Sequence, residues 1–334
     1  MKVFRFLIFS VIILILLSGA FFYTRFSAPQ KNAPEERYVI TLNSSEEQII
    51  QDLAKRSFLK DPQIFNFILT AKNWHQKIQP GAYLISKSMN AYELAQKLVE
   101  GPYQKWVIIP PGKRKEQVAL ILAKTLGWND SLTRGFIQVA EEGYLYPDTY
   151  LLNIDADPGQ IFSKFKANFN EKFDADLQKE LLKQNIRNDT AIKIASLIER
   201  ESGSDFDKPI IAGIIWNRLL KGMKLEIDAT VQYAMVTQKL LSLIANHQPL
   251  ITNDFDFWPP LGPGVVRTVD SPYNTYLYEG LPPGPICSPS IQSIRAVAYP
   301  AETDALYYLH SPDKQIHTAK TYQEHQENIK KYLQ

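Results

Sequence analysis

The run from Phe6 to Tyr23 carries no charged residue, and it restricts where the rest of the chain can be placed. As a helix rising about 1.5 Å per residue it reaches about 27 Å, close to the depth of a bilayer core. Lys2 and Arg5 precede it, and Phe21, Phe22 and Tyr23 close it with the aromatic belt of a membrane interface. A cleaved signal peptide competes with this reading, because Ser18-Gly-Ala20 is a run of small residues near its end. The length of the run and the bulky aromatics after it favour an uncleaved anchor. Residues 1–5 are then a cytoplasmic tail and the remainder lies outside the membrane. Arg25 and Lys31 on the far side weaken that polarity.

The remaining chain is long enough for two domains. The protein has 334 residues, is 45% hydrophobic and 22% charged, and can bury a proper core. A net charge of +2 gives no support for nucleic acid as a partner. Cys287 is the single cysteine, and the five histidines are scattered, so neither a disulfide nor a metal site is expected and no cofactor is indicated. Residues 24–37, polar and with two prolines, read as a linker. Residues 38–106 read as strand, helix, helix, strand, helix. Tyr38–Leu42 and Gly81–Ile85 are the strands, capping boxes stand at Ser44/Glu47 and Asn90/Glu93, and Pro62 opens the middle helix. This βααβ order resembles a LysM-like glycan-binding module, and a plain packing or spacer role fits it equally well. Residues 107–334 form a larger mixed domain. The whole is α+β, with helices and strands segregated.

The most chemical segment is Ala191-Ile-Lys-Ile-Ala-Ser-Leu-Ile-Glu-Arg-Glu-Ser-Gly203. Its apolar spacing predicts a helix, begun at Asn188 or Asp189 and ended by Gly203. At about 100° per residue, Glu199 falls between Ala195 and Ile192, and Glu201 between Leu197 and Ile194. Both glutamates are half-buried on this pattern, and periodicity does not choose between them. Desolvation raises a carboxyl pKa and keeps it protonated near neutrality, ready to protonate a leaving oxygen. The plainer alternative is a structural carboxylate paired with Arg200 or another base.

Other clusters are rich in tyrosine, amide and hydroxyl groups on turns. They are Glu142-Gly-Tyr-Leu-Tyr-Pro-Asp-Thr149, Asn217-Arg218-Leu219, Asp228-Ala-Thr-Val-Gln-Tyr233, and Tyr273-Asn-Thr-Tyr276 leading to Gly280-Leu-Pro-Pro-Gly-Pro-Ile286. Aromatic faces and amides of this kind suit pyranose rings, although they also close hydrogen-bonded turns. In this order, and with Ile198-Glu-Arg-Glu201, they resemble the MltG-type (YceG-like) endolytic murein transglycosylases from about residue 38 to the end.

That resemblance implies a membrane-anchored enzyme on the extracytoplasmic side of the bacterial inner membrane. It would cleave the bond between N-acetylmuramic acid and N-acetylglucosamine in peptidoglycan without adding water. Glu199 aligns with the family's acid/base, which protonates the glycosidic oxygen and then takes the proton of the muramyl C6 hydroxyl to give a 1,6-anhydro end. Glu201 would tune it or cap a loop. Asn217, Gln232, Tyr233 and Asn274 would contact substrate or hold the catalytic helix, and Asp148 would fix a turn. The implied partners are glycan strands and the synthases that make them, so that cutting ends strand growth. The chain departs from the family at Glu226 (often glutamine), Ala229 (often proline), Ser288 and Ser290 (usually asparagine and glycine), and over about 237–266. Glu201, Glu226 and Asp228 could each supply a second carboxylate, which leaves a lysozyme-like hydrolase open. A non-catalytic peptidoglycan-binding scaffold is the rival from another class.

Overall fold

The computed structural model describes residues 2–245 and 255–333. His247, Asn253, Asp254 and the rest of 246–254, within the divergent stretch, lie outside the described residues. The chain folds as two compact units. The first takes residues up to Val107 and then Tyr150–Asp155; the second takes Ile108–Thr149 and the chain from Ala156 onward.

The first unit begins with helix α1 (Lys2–Phe26), which includes most of the expected tail. Its Ile8–Phe26 segment is long and apolar enough to cross a membrane, with none of it buried. The unit continues as β1 (Glu35–Ile40), α2 (Glu46–Lys55), α3 (Pro62–Lys72), β2 (Gly81–Ser86), α4 (Ala91–Glu100), β3 (Gln104–Ile108) and β4 (Thr149–Asn153). The strands form one sheet in the order β1-β2-β3-β4. The β1 and β2 strands run antiparallel with Tyr38 opposite Tyr83. Leu53, Phe65, Leu69, Ile85, Leu94 and Leu98 fill the core beneath the sheet. Asp61 caps α3 ahead of Pro62, and Asn90 with Glu93 boxes the start of α4. The box on α2 is Ser45 with Gln48, one residue beyond the expected pair, because the Ser44 hydroxyl is engaged with that of Thr41 at 2.8 Å.

The stretch 24–37 is not a free linker. Residues 24–26 belong to α1 and 35–37 to β1. Between them the Gln30 N–H donates to Lys87 O at 3.0 Å, and the Ser86 hydroxyl donates to Ala33 O at 2.7 Å. Arg25 also pairs with Asp61 at 2.6 Å. Polar, proline-containing sequence predicts a spacer only when nothing packs against it, and here the sheet does.

The second unit is mostly helical: α5 (Lys115–Leu126), α6 (Asp130–Val139), α7 (Pro158–Lys172), α8 (Ala175–Lys183), α9 (Asn188–Glu201), α10 (Asp207–Leu220), α11 (Asp228–Ala245), α12 (Ile291–Ala298) and α13 (Tyr322–Tyr332), with the hairpin β5 (Tyr307–His310) and β6 (Ile316–Ala319) before α13. Helix α9 lies at its centre, packed by α8, α10, α11 and α12. A helix so placed must be apolar nearly all round. Ala191, Ile192, Ile194, Ala195, Leu197 and Ile198 are accordingly fully buried. Burying each large aliphatic side chain contributes about 1.5–3 kcal/mol relative to exposure. The loop before α12 lies along the helix. Ile286 N–H donates to the Ser196 hydroxyl at 3.1 Å, and the buried Cys287 thiol donates to Ser196 O at 3.3 Å.

Candidate active site

Two residues apart on a helix means about 200° apart around it, so Glu199 and Glu201 leave α9 in nearly opposite directions. Their surroundings differ accordingly. Glu199 Oε2 accepts the Ser290 N–H at 2.9 Å, the Ser290 hydroxyl at 2.6 Å and the Ser293 hydroxyl at 2.5 Å. Lys208 Nζ stands 3.6 Å away, and both side chains are under 10% exposed, at 7% and 8%. Lys208 also donates to the Ser290 hydroxyl at 3.0 Å. Glu199 therefore ties α9 to the start of α12 and to α10. The expected apolar setting is absent, and Ser290, read from sequence only as a departure, is its main partner. Neither Lys208 nor Ser293 could be named from sequence, since nothing local links them to α9.

Glu201 opens instead onto a cavity of about 340 Å³. Tyr308, from β5, donates its hydroxyl to Glu201 Oε2 at 2.6 Å. Burial pushes the Glu201 carboxyl above the ordinary carboxylate range, and the nearby Asp228 adds to this. The Tyr308 hydrogen bond, His310 and Arg200 work against it. His310 is fixed in turn, because its Nε2 lies 3.2 Å from Asp207 Oδ2. The same oxygen accepts the N–H groups of Gly203 and Ser204 at 3.0 and 2.9 Å. The turn after α9 and strand β5 are thereby locked together around Glu201.

Asp228, Glu226, Arg218, Tyr276 and Tyr307 share this cavity. Asp228 opens α11, where a helix N-terminus favours a carboxylate, and accepts the Tyr276 hydroxyl at 2.7 Å. Arg218 is held by backbone carbonyls of Leu306 at 2.6 Å, Leu225 at 2.7 Å and Lys224 at 3.1 Å. Its guanidinium also lies over the Tyr307 ring at 5.0 Å. The structure thus brings together all three carboxylates that sequence offered as partners for an acid: Glu201, Glu226 and Asp228. Their arrangement suits proton transfer beside a sugar ring, with tyrosines as walls. No group of three His, Cys, Asp or Glu among the described residues is placed to hold a metal ion.

The remaining candidates sit elsewhere. Asn217 donates its amide to Thr303 O at 2.7 Å and Ala305 O at 3.0 Å, bracing the approach to β5. Asn274 is fully buried, and its amide donates to Val266 O at 2.9 Å and Val269 O at 2.8 Å. Both act as braces here. Gln232 donates to Pro259 O at 3.0 Å. Tyr233 lies under the Arg114 guanidinium, 4.1 Å from ring centre, with Tyr273 beside it at 4.8 Å. Glu142 belongs to this second cluster. It accepts the Lys115 N–H at 3.2 Å, and burial together with Glu116 pushes its carboxyl up to about 8. Gly143 after it has φ +87°, and a Cβ there would lie 2.6 Å from Pro285 Cγ, so only glycine fits. Asp148 holds a turn, accepting its neighbour Thr149 N–H at 2.7 Å and the Asn168 amide at 2.9 Å.

The sequence matches the model of the YceG-like family over residues 38–331. The chain belongs to the YceG-like family. This YceG-like chain is 26% identical over 351 residues to the endolytic murein transglycosylase of Bacillus subtilis, covering 96% of this chain and 91% of that one. It is 25% identical over 371 residues to the endolytic murein transglycosylase of Streptococcus pneumoniae serotype 2, covering 97% of this chain and 64% of the relative. Among solved structures, a yceG-like protein from Listeria monocytogenes superposes with a TM-score of 0.58 at 25% identity, covering 88% of this chain and 98% of that one.

Proposed function

We propose that this chain is an endolytic peptidoglycan lytic transglycosylase in which Glu201, rather than Glu199, moves the proton. One observation carries the reading: Glu201 faces a tyrosine-walled cavity, with burial holding its carboxyl toward the protonated form, while Glu199 is tied down by Ser290, Ser293 and Lys208. The protonated carboxyl gives its proton to the glycosidic oxygen as the C1–oxygen bond breaks. The resulting carboxylate takes the proton of the C6 hydroxyl as that oxygen bonds to C1, which closes the anhydro ring. No water is consumed, and the hydroxyl is already held within reach of C1 by the sugar itself. Glu199 keeps α9 seated through Ser290, Ser293 and Lys208.

The names of the relatives agree with this substrate and reaction class. A hydrolytic route has its own support in Glu226 and Asp228, which share the cavity and could activate water. Helix α1 serves as the anchor, with the second unit on the extracytoplasmic side. The first unit acts as a LysM-like glycan-holding module, its β1-α2-α3-β2 order supporting the comparison. Cutting near the synthases would then terminate nascent strands.

The test is digestion of purified peptidoglycan by the full chain in detergent, read by product mass. Products lighter by one water than hydrolysis products are expected. Glu201→Gln should lower their formation by about 10²-fold or more, while Glu199→Gln retains cleavage in proportion to the folded fraction. Full activity of Glu201→Gln with loss in a folded Glu199→Gln would return the role to Glu199. Water-added products would make the enzyme a hydrolase. Binding without cleavage would favour a scaffold.

A further inference from the structure

The cavity beside Glu201 holds more negative charge than transfer of one proton requires. Glu226 and Asp228 face a single guanidinium, that of Arg218, and that group already donates to three backbone carbonyls. Asp228 is engaged by Tyr276. Glu226 is engaged more weakly: its carboxylate accepts one long hydrogen bond, from Arg218 Nη1 at 3.4 Å, and its side chain is 49% exposed. Its backbone is left-handed, with φ +52°, a conformation that costs a non-glycine residue free energy and persists only where the surroundings impose it. Here they do. The Glu226 N–H donates to Thr275 O at 3.2 Å, and the next N–H, of Ile227, to the Thr275 hydroxyl at 3.0 Å. The backbone of Glu226 is therefore fixed at the cavity edge, which its side chain helps to line. Tyr276 and Tyr307 line the same space, and the faces of aromatic rings attract cations.

We propose that Glu226 is a specificity-determining residue that favours glycan substrates bearing a free ammonium group near the cleaved bond over their N-acylated counterparts. This rests on the reading of the cavity as the cleavage site. An ammonium group meets the Glu226 carboxylate at a half-exposed position, where it gains a charge-assisted hydrogen bond that a neutral acetamido group cannot match. In a peptidoglycan strand that group has two sources: the C2 amine of a sugar lacking its acetyl group, or an amine on the attached peptide.

The experiment compares three substrates with the full chain in detergent. They are peptide-free, fully N-acetylated strands; the same strands partly de-N-acetylated by base; and peptide-bearing strands with or without chemical acetylation of the peptide amines. Wild type is expected to cleave the amine-bearing form of one pair roughly three- to tenfold faster, the preference shrinking as salt rises. Whichever pair shows the preference identifies the source of the amine. In Glu226→Gln, which keeps the shape and removes the charge, the ratio should approach one. Binding of the same strands to Glu201→Gln reads the preference without turnover. Equal rates and equal binding in wild type, or the same ratio in Glu226→Gln, would overturn the inference. A binding preference that depends on Glu226 in a chain that cleaves nothing would leave the inference standing and remove the catalytic reading alone.

Discussion

The Tyr308 hydroxyl is the one described side-chain donor to Glu201, and it stabilises the ionised carboxylate. Replacing it with phenylalanine should move the Glu201 pKa further up. Because the leaving oxygen needs a protonated Glu201, cleavage falls as pH rises through that pKa. Tyr308→Phe should therefore shift the basic limb of the kcat/KM profile to higher pH, and an unmoved limb would separate Tyr308 from the acid. Glu199 has a different expected signature. Glu199→Ala leaves Lys208 buried, with only the exposed Asp205 as a charged partner at 2.7 Å, and should cost about 3 kcal/mol in denaturant unfolding. A loss below about 1 kcal/mol would contradict its role as a tie. Sequence could place both glutamates on α9 and go no further, because each lies beside apolar residues on the helical wheel. What separates them is Ser290 and Ser293 on one side and Tyr308 on the other, all about a hundred residues away and visible only once α12 and β5 have packed.

At the scale of elements, the loop between α6 and β4 carries the clearest pH signal. Glu142 has its proton held to about 8 in the fold, against about 4.5 ordinarily. Below the ordinary value both folded and unfolded chains are protonated and nothing is lost. As pH rises toward about 8, only the unfolded chain ionises freely, so the fold loses stability across that window. Glu142→Gln keeps an acceptor for the Lys115 N–H and removes this dependence. The Tm of wild type minus that of the variant should fall steadily over the same range, and a constant difference would refute the assignment. Elements with strong local signals were legible: Asn90 with Glu93 at the start of α4, and Pro62 at the start of α3. Strands β4 and β6 were not. Each is short, and β4 follows the Pro147-Asp148 turn, with a pairing partner distant in sequence.

For the whole molecule, α+β character and the apolar amino terminus were readable, because composition and helix length reach across many residues. The tying-down of residues 27–37 was not, since it depends on Ser86 and Lys87. That difference has a practical result. A chain starting at Ser27 should be recovered without detergent and keep the whole of β1. A chain starting at Tyr38 loses the Glu35–Ser86 end of the β1–β2 ladder and should melt several degrees lower, by about 4–8 °C for each kcal/mol lost if the unit unfolds alone. Equal melting of the two would mean that the strand end contributes nothing.

The first unit borrows its last strand from beyond the start of the second. During synthesis, β3 remains an open edge until Asn153 has left the ribosome, so α5 and α6 emerge before the sheet ahead of them is complete. The two units therefore cannot be separated by one cut or exchanged as cassettes between relatives. A recombination point at Val107 leaves one product missing a strand and the other carrying an unpaired one.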